Sequence, residues 1–134
     1  MSIDHDNAEK QLISLRRASH VGCVACSSDG MLGLRCSTRS DGSVATEFRP
    51  ARWMAGYDGL LHGGIVATAL DAAATQCLFA HGVDGLTALL NIRYRRPAPI
   101  DQTFQLQAWL ESASGGRFRL RAELRSDQAR VADA

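Results

Sequence analysis

The sequence predicts an α+β fold in which an antiparallel sheet curls around one long central helix. Residues 64–81 are apolar almost all round the helical wheel, as expected of a buried helix. The segments before and after this run alternate apolar and polar residues, which is typical of strands with one solvent-facing side. Clusters of glycine or proline separate the segments, and no repeat or low-complexity tract occurs.

Length and composition limit the class of protein. The chain of 134 residues has the size of one domain, with 1–22 as a predicted N-terminal helical extension and 23–134 as the predicted core. Its 46% hydrophobic and 22% charged residues are those of a folded globular chain and exclude intrinsic disorder. A net charge of +1 argues against a general nucleic-acid-binding protein.

The sequence also bears on location. Residues 1–10 contain four charged side chains and no apolar run of the kind that secretory signals carry. The longest weakly charged stretch, 59–83, has Asp71 near its middle, where a bilayer would penalise the carboxylate by about 3 kcal/mol. Four cysteines without a secretion signal are typical of reduced thiols. We therefore expect a cytoplasmic protein with no membrane partner.

The spacing of apolar residues predicts the elements that precede the central helix. Residues 6–19 have the pattern of a short amphipathic helix, with Asp6 and Glu9 spaced like a capping box. Residues 31–39 and 44–48 alternate as two strands on either side of a turn, which predicts a hairpin.

After the central helix, apolar and polar residues again alternate with a period of two. Strands are predicted over 90–95, 104–111 and 117–125, with a truncated last strand over 130–134. Both ends of such a sheet would have free edges, which favours a partner subunit that covers one of them.

Asp71 is the unusual residue of the predicted helix, because its neighbours are apolar and aspartate is a poor helix former. It shares a narrow face with mostly small residues, which leave space beside the carboxylate as a substrate channel requires. The other members of this face are Gly64, Ala67, Thr68, Thr75 and Leu78. The alternative is a structural role, with Asp71 bonded to Thr68 or Thr75 or paired with an arginine of the sheet.

The glycine-rich run 59–64 lies at the entrance of the same helix. Free N–H groups of a first helical turn form a positive end, and glycines let a ligand oxygen approach them, as an oxyanion hole requires. Alternatively, the glycines only permit the tight turn. Asp71 lies about 12 Å further along the helix than Gly63, too far to act on a carbonyl held there. Two antiparallel copies of the helix across a two-fold axis would bring the groups together, so the sequence favours an obligate homodimer with two shared sites.

Two segments resemble a known family. The run from Gly56 to Asp71, with its His62-Gly63-Gly64 followed seven residues later by aspartate, and the segment 91–97 resemble the PaaI-type acyl-CoA thioesterases of the hotdog fold. The similarity extends from about Cys23 to the C-terminus. It implies a sheet wrapped around the central helix and a dimer with a continuous sheet, often assembled into a tetramer.

The resemblance also implies roles for individual residues. The N–H of Gly63, together with that of Gly64, would polarise the thioester carbonyl. Asp71 of the other subunit would be the general base for water, or the nucleophile. Thr87 would supply a hydroxyl that helps to hold the water, and His62 would shape the turn and line the site.

The residues predicted to bind substrate are Gly56, Tyr57, Thr68 and Thr75. Some relatives carry an asparagine or glutamine at the position of Gly56, where its amide is an additional donor to the carbonyl. The arginines of the strands are interpreted as solvent-facing, with the phosphates of coenzyme A as an alternative contact.

Cys23 and Cys26, with His20 three residues earlier, resemble part of a zinc site. A structural zinc site uses four ligands, however, and the sequence has no second cysteine pair. We therefore expect no metal ion and no other cofactor.

The predicted function is hydrolysis of acyl thioesters of coenzyme A or of an acyl-carrier protein. One alternative, which Gly56 favours, is a protein that binds acyl-CoA without turnover. The other is a hydratase or dehydratase on the same architecture. Such enzymes need a paired carboxylate and histidine, and His62 is the only histidine near Asp71 in this pattern.

Overall fold

The computed structural model describes residues 4–28, 30–127 and 129–134. This part of the chain forms two α-helices, α1 (His5–Ser19) and α2 (Gly63–Ala80), a short 3₁₀ turn at Arg52–Met54, and six strands. The strands are β1 (Ser37–Thr38), β2 (Val44–Phe48), β3 (Arg93–Tyr94), β4 (Phe104–Ser114), β5 (Arg117–Arg125) and β6 (Arg130–Asp133). They pair antiparallel in one sheet, in the order β1-β2-β4-β5-β6-β3.

The long helix α2 packs against β2, β4 and β5, which confirms the predicted α+β arrangement. Its bounds agree with the predicted helix to within one residue at each end. Helix α1 packs on α2 and adds Leu12 to the same core. By length and a mean hydropathy of 1.3 alone α2 is able to cross a membrane, but 56% of it is buried inside the protein, as in the core helix of a globular domain.

The hairpin of β4 and β5 follows the predicted alternation closely. Phe104, Leu106 and Ala108 are buried, whereas the arginines of β5 face solvent. The two strands are joined by Gly115 and Gly116, whose φ angles of 58° and 77° are both left-handed. A two-residue turn of this hand fits the twist of the strands and requires residues such as glycine.

The first predicted strand is shorter than expected, because only 37–38 of the predicted 31–39 pair with another strand. The N–H of Leu34 donates to the carbonyl of Ala25, and the N–H of Cys36 donates to the side chain of Gln76 at 2.9 Å. These amides are therefore not available to a strand ladder. The predicted alternation of side chains still holds, since Leu34, Cys36 and Thr38 are buried.

The predicted capping box of α1 is wrong. The helix begins one residue earlier, and Asp4 rather than Asp6 is its N-cap, accepting a hydrogen bond from the N–H of Asn7 at 3.3 Å. Glu9 points to the sheet, where its carboxylate accepts hydrogen bonds from the N–H and the hydroxyl of Thr38 at 2.7 and 2.6 Å. Glu9 thus makes a tertiary contact with two donors instead of the predicted contact within its own helix.

The two edges of the sheet differ. At the β1 edge, the N–H of Thr38 bonds to Glu9 and its carbonyl lies 2.8 Å from a ring nitrogen of His5, so α1 occupies this edge. At the β3 edge, only two residues of the predicted strand over 90–95 pair with β6, and the chain leading into them exposes Leu86 and Leu89 by 98% and 77%. The β3 edge is therefore the one open to a partner.

Candidate active site

His62 forms the entrance of α2. Its backbone is extended, with φ −63° and ψ 135°, and its N–H is bonded to the carbonyl of Met54. The ring nitrogen Nδ1 accepts a hydrogen bond from the N–H of Gly64 at 2.8 Å, and the carbonyl accepts from Ile65 and Val66. His62 is thus the N-cap of the helix.

The cap leaves Gly63 as the residue with an unused amide in the first turn. The N–H of Gly64 is bonded to His62, whereas no acceptor among the described residues is bonded to the N–H of Gly63. Gly63 is exposed, so this donor is accessible at the positive end of α2. Of the two predicted donors, Gly63 is therefore the one free to bind a ligand oxygen.

Tyr94 of β3, which no sequence motif assigned to the site, holds the next peptide group. Its hydroxyl donates to the carbonyl of Gly63 at 2.7 Å. The peptide that joins Gly63 and Gly64 is therefore fixed from both sides, through its carbonyl by Tyr94 and through its N–H by His62. The strand pattern predicted Tyr94 in an extended segment but contained no signal for its partner.

Gly56 and Tyr57 lie on the approach to this entrance. A Cβ at position 56 would stand 3.2 Å from Cδ2 of His62, so glycine lets the loop pack closely against the histidine ring. The N–H of Gly56 donates to the carbonyl of Leu60 and closes the loop. Tyr57 is 85% exposed and turns its ring to solvent in the single chain.

Asp71 lies in the middle of α2 and is half-buried. Its Oδ1 accepts a hydrogen bond from the hydroxyl of Thr87 at 2.7 Å. None of the ion pairs found in the described residues includes Asp71. Thr68, an alternative partner for Asp71, donates to the carbonyl of Gly64 instead, and the described residues show no hydrogen bond between Thr75 and Asp71.

One face of α2 is not covered by the rest of the chain. Residues with partly exposed side chains recur at the spacing of three and four that marks one helical face. They are Ala67, Thr68, Asp71, Ala74 and Thr75. Leu78, which the helical wheel places with them, is instead buried. The open face is therefore short and carries a single charge.

The structure brings the predicted residues together as two groups. Gly56, His62, Gly63 and Gly64 surround the helix entrance, and Asp71 and Thr87 form a pair further along. Because both groups are tied to one continuous helix, Gly63 and Asp71 of a single chain stay about 12 Å apart.

Comparison with known sequences identifies relatives. The family model of the thioesterase superfamily matches residues 58–132. Bovine acyl-coenzyme A thioesterase THEM4 is 34% identical over 79 residues, which cover 59% of this chain and 32% of the bovine protein. The rat protein of the same name is 27% identical over 88 residues, covering 66% of this chain and 38% of the rat protein. The chain thus spans about a third of the length of these curated relatives.

Comparison with solved structures identifies the fold. The PaaI protein of the E. coli phenylacetic acid degradation operon superposes with a TM-score of 0.78 over 94% of this chain and 90% of its own, at 17% identity. A hypothetical thioesterase from Streptococcus pneumoniae, solved with coenzyme A, gives 0.69 over 74% and 81% at 18% identity. The predicted hotdog fold is confirmed. With the helix entrance, all of α2 and the β4–β5 hairpin inside the matched segment, the chain belongs to the thioesterase superfamily.

Proposed function

We propose that this chain hydrolyses acyl thioesters, with the thioester carbonyl bound at the Gly63 amide and with Asp71 as the reacting carboxylate. The observation that carries the proposal is an unused first-turn N–H and a half-buried carboxylate on one helix of a thioesterase-superfamily chain. An amide at the positive end of a helix stabilises the negative charge that develops on the carbonyl oxygen. A carboxylate without an arginine partner is available to accept a proton.

Two forms of the reaction use the same groups. In the first, Asp71 takes a proton from water while the water oxygen attacks the carbonyl carbon. The C–S bond then breaks, which yields a carboxylic acid and a free thiol. In the second, Asp71 itself attacks, the thiol leaves, and water opens the resulting anhydride. Neither form requires a metal ion or a redox cofactor.

The site is proposed to form between two copies of the chain. Gly63 and Asp71 of one chain are about 12 Å apart, whereas a base must lie within hydrogen-bond reach of the group on which it acts. An antiparallel partner helix on the open face of α2 would bring Asp71 of one copy to Gly63 of the other. The surface for this homodimer is the β3 edge together with the exposed Leu86 and Leu89. A tetramer would form from two such dimers.

The dimer is tested by placing a charge on the proposed interface. We expect Leu89→Asp to give a monomer by size-exclusion chromatography with light scattering, and to abolish turnover with it. Val21→Asp is the matched control, because Val21 is also 77% exposed and lies in the turn after α1, outside the segment 86–94 that forms the proposed interface. A Leu89→Asp variant that stays dimeric and active would contradict the shared site.

The proposed substrates are thioesters of coenzyme A or of an acyl-carrier protein. Support comes from the bovine relative, whose name is that of an acyl-coenzyme A thioesterase, although the chain covers only 32% of it. We also propose a cytoplasmic location. The four cysteines are free thiols, which is typical of proteins in a reducing compartment.

A panel of acyl-CoA and acyl-carrier thioesters, read by release of the free thiol, tests the activity. We expect turnover of one substrate class by the wild type, and a loss of about 100-fold or more in kcat for Asp71→Asn, which stays folded. Asp101→Asn, at an exposed position in the loop before β4, is the control and keeps full turnover.

The same assay separates the two alternatives. Binding of acyl-CoA without thiol release by the wild type would favour a binding protein. The observation that favours this alternative is that Gly56 lacks the side-chain amide that some relatives carry at this position. Hydration of an enoyl thioester without thiol release would favour a hydratase. Nδ1 of His62 is bonded to the N–H of Gly64, so a hydratase reaction would have to use Nε2 of this ring.

A further inference from the structure

Three potential metal ligands meet at the end of α1. The side-chain donor atoms of His20, Cys23 and Cys26 lie within 4.8 Å of one another, the one such group found in the described part of the chain. Sγ of Cys26 is 3.5 Å from Nδ1 of His20. In a tetrahedral zinc site, with Zn–S near 2.3 Å and Zn–N near 2.0 Å, a sulfur and a nitrogen ligand stand about 3.5 Å apart. The pair already has this separation.

Two backbone N–H groups are directed at the sulfur of Cys23. The N–H groups of Ala25 and Cys26 both point at Sγ of Cys23, each at 3.4 Å. Donors placed in this way stabilise the negative charge of a sulfur that ligates a metal ion.

The loop after the cysteines closes tightly around them. A Cβ at Gly30 would stand 2.3 Å from the carbonyl oxygen of Cys23 and 2.8 Å from that of Val24, so only glycine fits. The N–H of Ser27 bonds to the carbonyl of Cys23, and the N–H of Leu34 bonds to that of Ala25. His20 is fixed from the other side, by an edge-to-face contact with Phe79 of α2 at 5.0 Å. The three ligands are therefore held before any ion binds.

We infer that His20, Cys23 and Cys26 bind one thiophilic divalent cation, with zinc as the ion that matches two sulfurs and one imidazole. Two thiolates neutralise the charge of the cation, and water occupies the fourth position beside the half-buried Cys23. The absence of a second cysteine pair, which led the sequence analysis to expect no metal, is compatible with a site of three protein ligands.

The site has a structural role and is remote from the proposed thioesterase centre. The bound cation would clamp the end of α1 to the loop before β1 and, through His20, to the end of α2. Phe79, the residue that His20 contacts, lies about 24 Å from Gly63 along α2. Loss of the cation is therefore expected to lower the Tm and to leave kcat unchanged below it, which separates this inference from the proposed function.

Cobalt titration tests the site directly. Untagged protein, reduced and stripped with a chelator, is titrated with CoCl₂ and followed by absorption. We expect a thiolate-to-cobalt charge-transfer band that saturates at one equivalent and is bleached by zinc. The band is expected to disappear in Cys23→Ser and to persist in Cys77→Ala, whose thiol is in the core outside the cluster. Circular dichroism confirms that each variant is folded.

A second readout is thermal unfolding. Zinc at 100 times its Kd is expected to raise the Tm of the wild type by about 8 °C, with no shift for Cys23→Ser. The inference is overturned if the fully reduced wild type gives no charge-transfer band. It is also overturned if the band survives in Cys23→Ser with Cys26→Ser, or if Cys23 and Cys26 are isolated as a disulfide that excludes the cation.

Discussion

The hydroxyl of Thr87 donates a 2.7 Å hydrogen bond to the carboxylate of Asp71 and so ties the loop before β3 to the middle of α2. This contact fixes the rotamer of the carboxylate on the open face of the helix. Replacing Thr87 with valine keeps the shape and removes the donor. A hydrogen bond to a charged group contributes about 2 kcal/mol, so we expect Thr87→Val to lower kcat about 30-fold with little change in KM.

Thr87→Ser retains the hydroxyl and is the matched control, for which steady-state kinetics on the best thioester substrate should give nearly wild-type kcat. Equal losses in the two variants would mean that the methyl group, rather than the hydrogen bond, matters at this position.

Tyr94 provides a second test of how the entrance is positioned. Tyr94→Phe removes the donor to the carbonyl of Gly63 and keeps the ring. We expect kcat to fall about fivefold, equivalent to the ~1 kcal/mol of one neutral hydrogen bond, because the Gly63 peptide loses one of its two anchors. Thr46→Val, which removes a hydroxyl of β2 that bonds to the carbonyl of Glu47 and belongs to neither group of site residues, should leave kcat unchanged. A KM effect alone in Tyr94→Phe would mean that the hydroxyl contacts substrate instead.

Gln76 is expected to dominate stability. Its side chain, fully buried in α2, accepts from Arg16 and the N–H of Cys36 and donates to the carbonyl of Leu34. Gln76→Leu leaves the N–H of Cys36 and the carbonyl of Leu34 unpaired, which should reduce the free energy of unfolding in urea by about 3 kcal/mol. The same change at the exposed Gln105 should alter it by less than about 0.5 kcal/mol. Similar losses at the two positions would show that the network is not essential.

The ion pair of Arg95 and Asp133 predicts a pH dependence at the β3 edge. The guanidinium of Arg95, bonded to both carboxylate oxygens, lowers the pKa of Asp133 below its ordinary value of 3.8. A carboxyl with a lower pKa in the folded than in the unfolded chain stabilises the fold above pH 3.8, and this contribution disappears as the pH falls through the folded pKa.

Asp133→Asn should therefore be less stable than the wild type at pH 7, with the difference shrinking as the pH drops below 3.8. Urea unfolding at a series of pH values measures it, with the exposed Asp101→Asn as control. A difference between wild type and Asp133→Asn that is constant with pH would rule out the ion pair as its cause.

The sequence was sufficient where side-chain periodicity alone determines the structure. The bounds of α2 and the alternating burial of Phe104, Leu106 and Ala108 followed from spacing, because an apolar face has to be covered whatever its neighbours are. Pairing between chain segments did not follow from spacing. The backbone of Cys36 bonds to Gln76 rather than to a strand, and Glu9 bonds to Thr38 rather than to its own helix.

The candidate site shows the same division. The motif with Asp71, His62 and Gly63 was predicted, since its residue types and spacing carry the information. The bond between His62 and Gly64, which leaves one amide rather than two, depends on a side-chain rotamer. The role of Tyr94 depends on where β3 lies relative to α2, and a single sequence contains no signal for that distance.

The shared site is the central claim, and subunit complementation tests it most directly. Gly63→Pro removes the unused N–H, while proline is well tolerated at the first position of a helix after the extended His62. The control is Gly63→Ala, which keeps the N–H. Its Cβ would lie 3.5 Å from the ring of Tyr94, an ordinary van der Waals distance, so this variant should be active. Gly63→Pro and Asp71→Asn should each be inactive alone.

When the two inactive chains are refolded together in equal amounts, half of the dimers are mixed and each mixed dimer has one intact site. We predict recovery of about a quarter of wild-type thioesterase activity. A mixture no more active than its two parents, although mixed dimers have formed, would contradict a site built from Gly63 of one chain and Asp71 of the other.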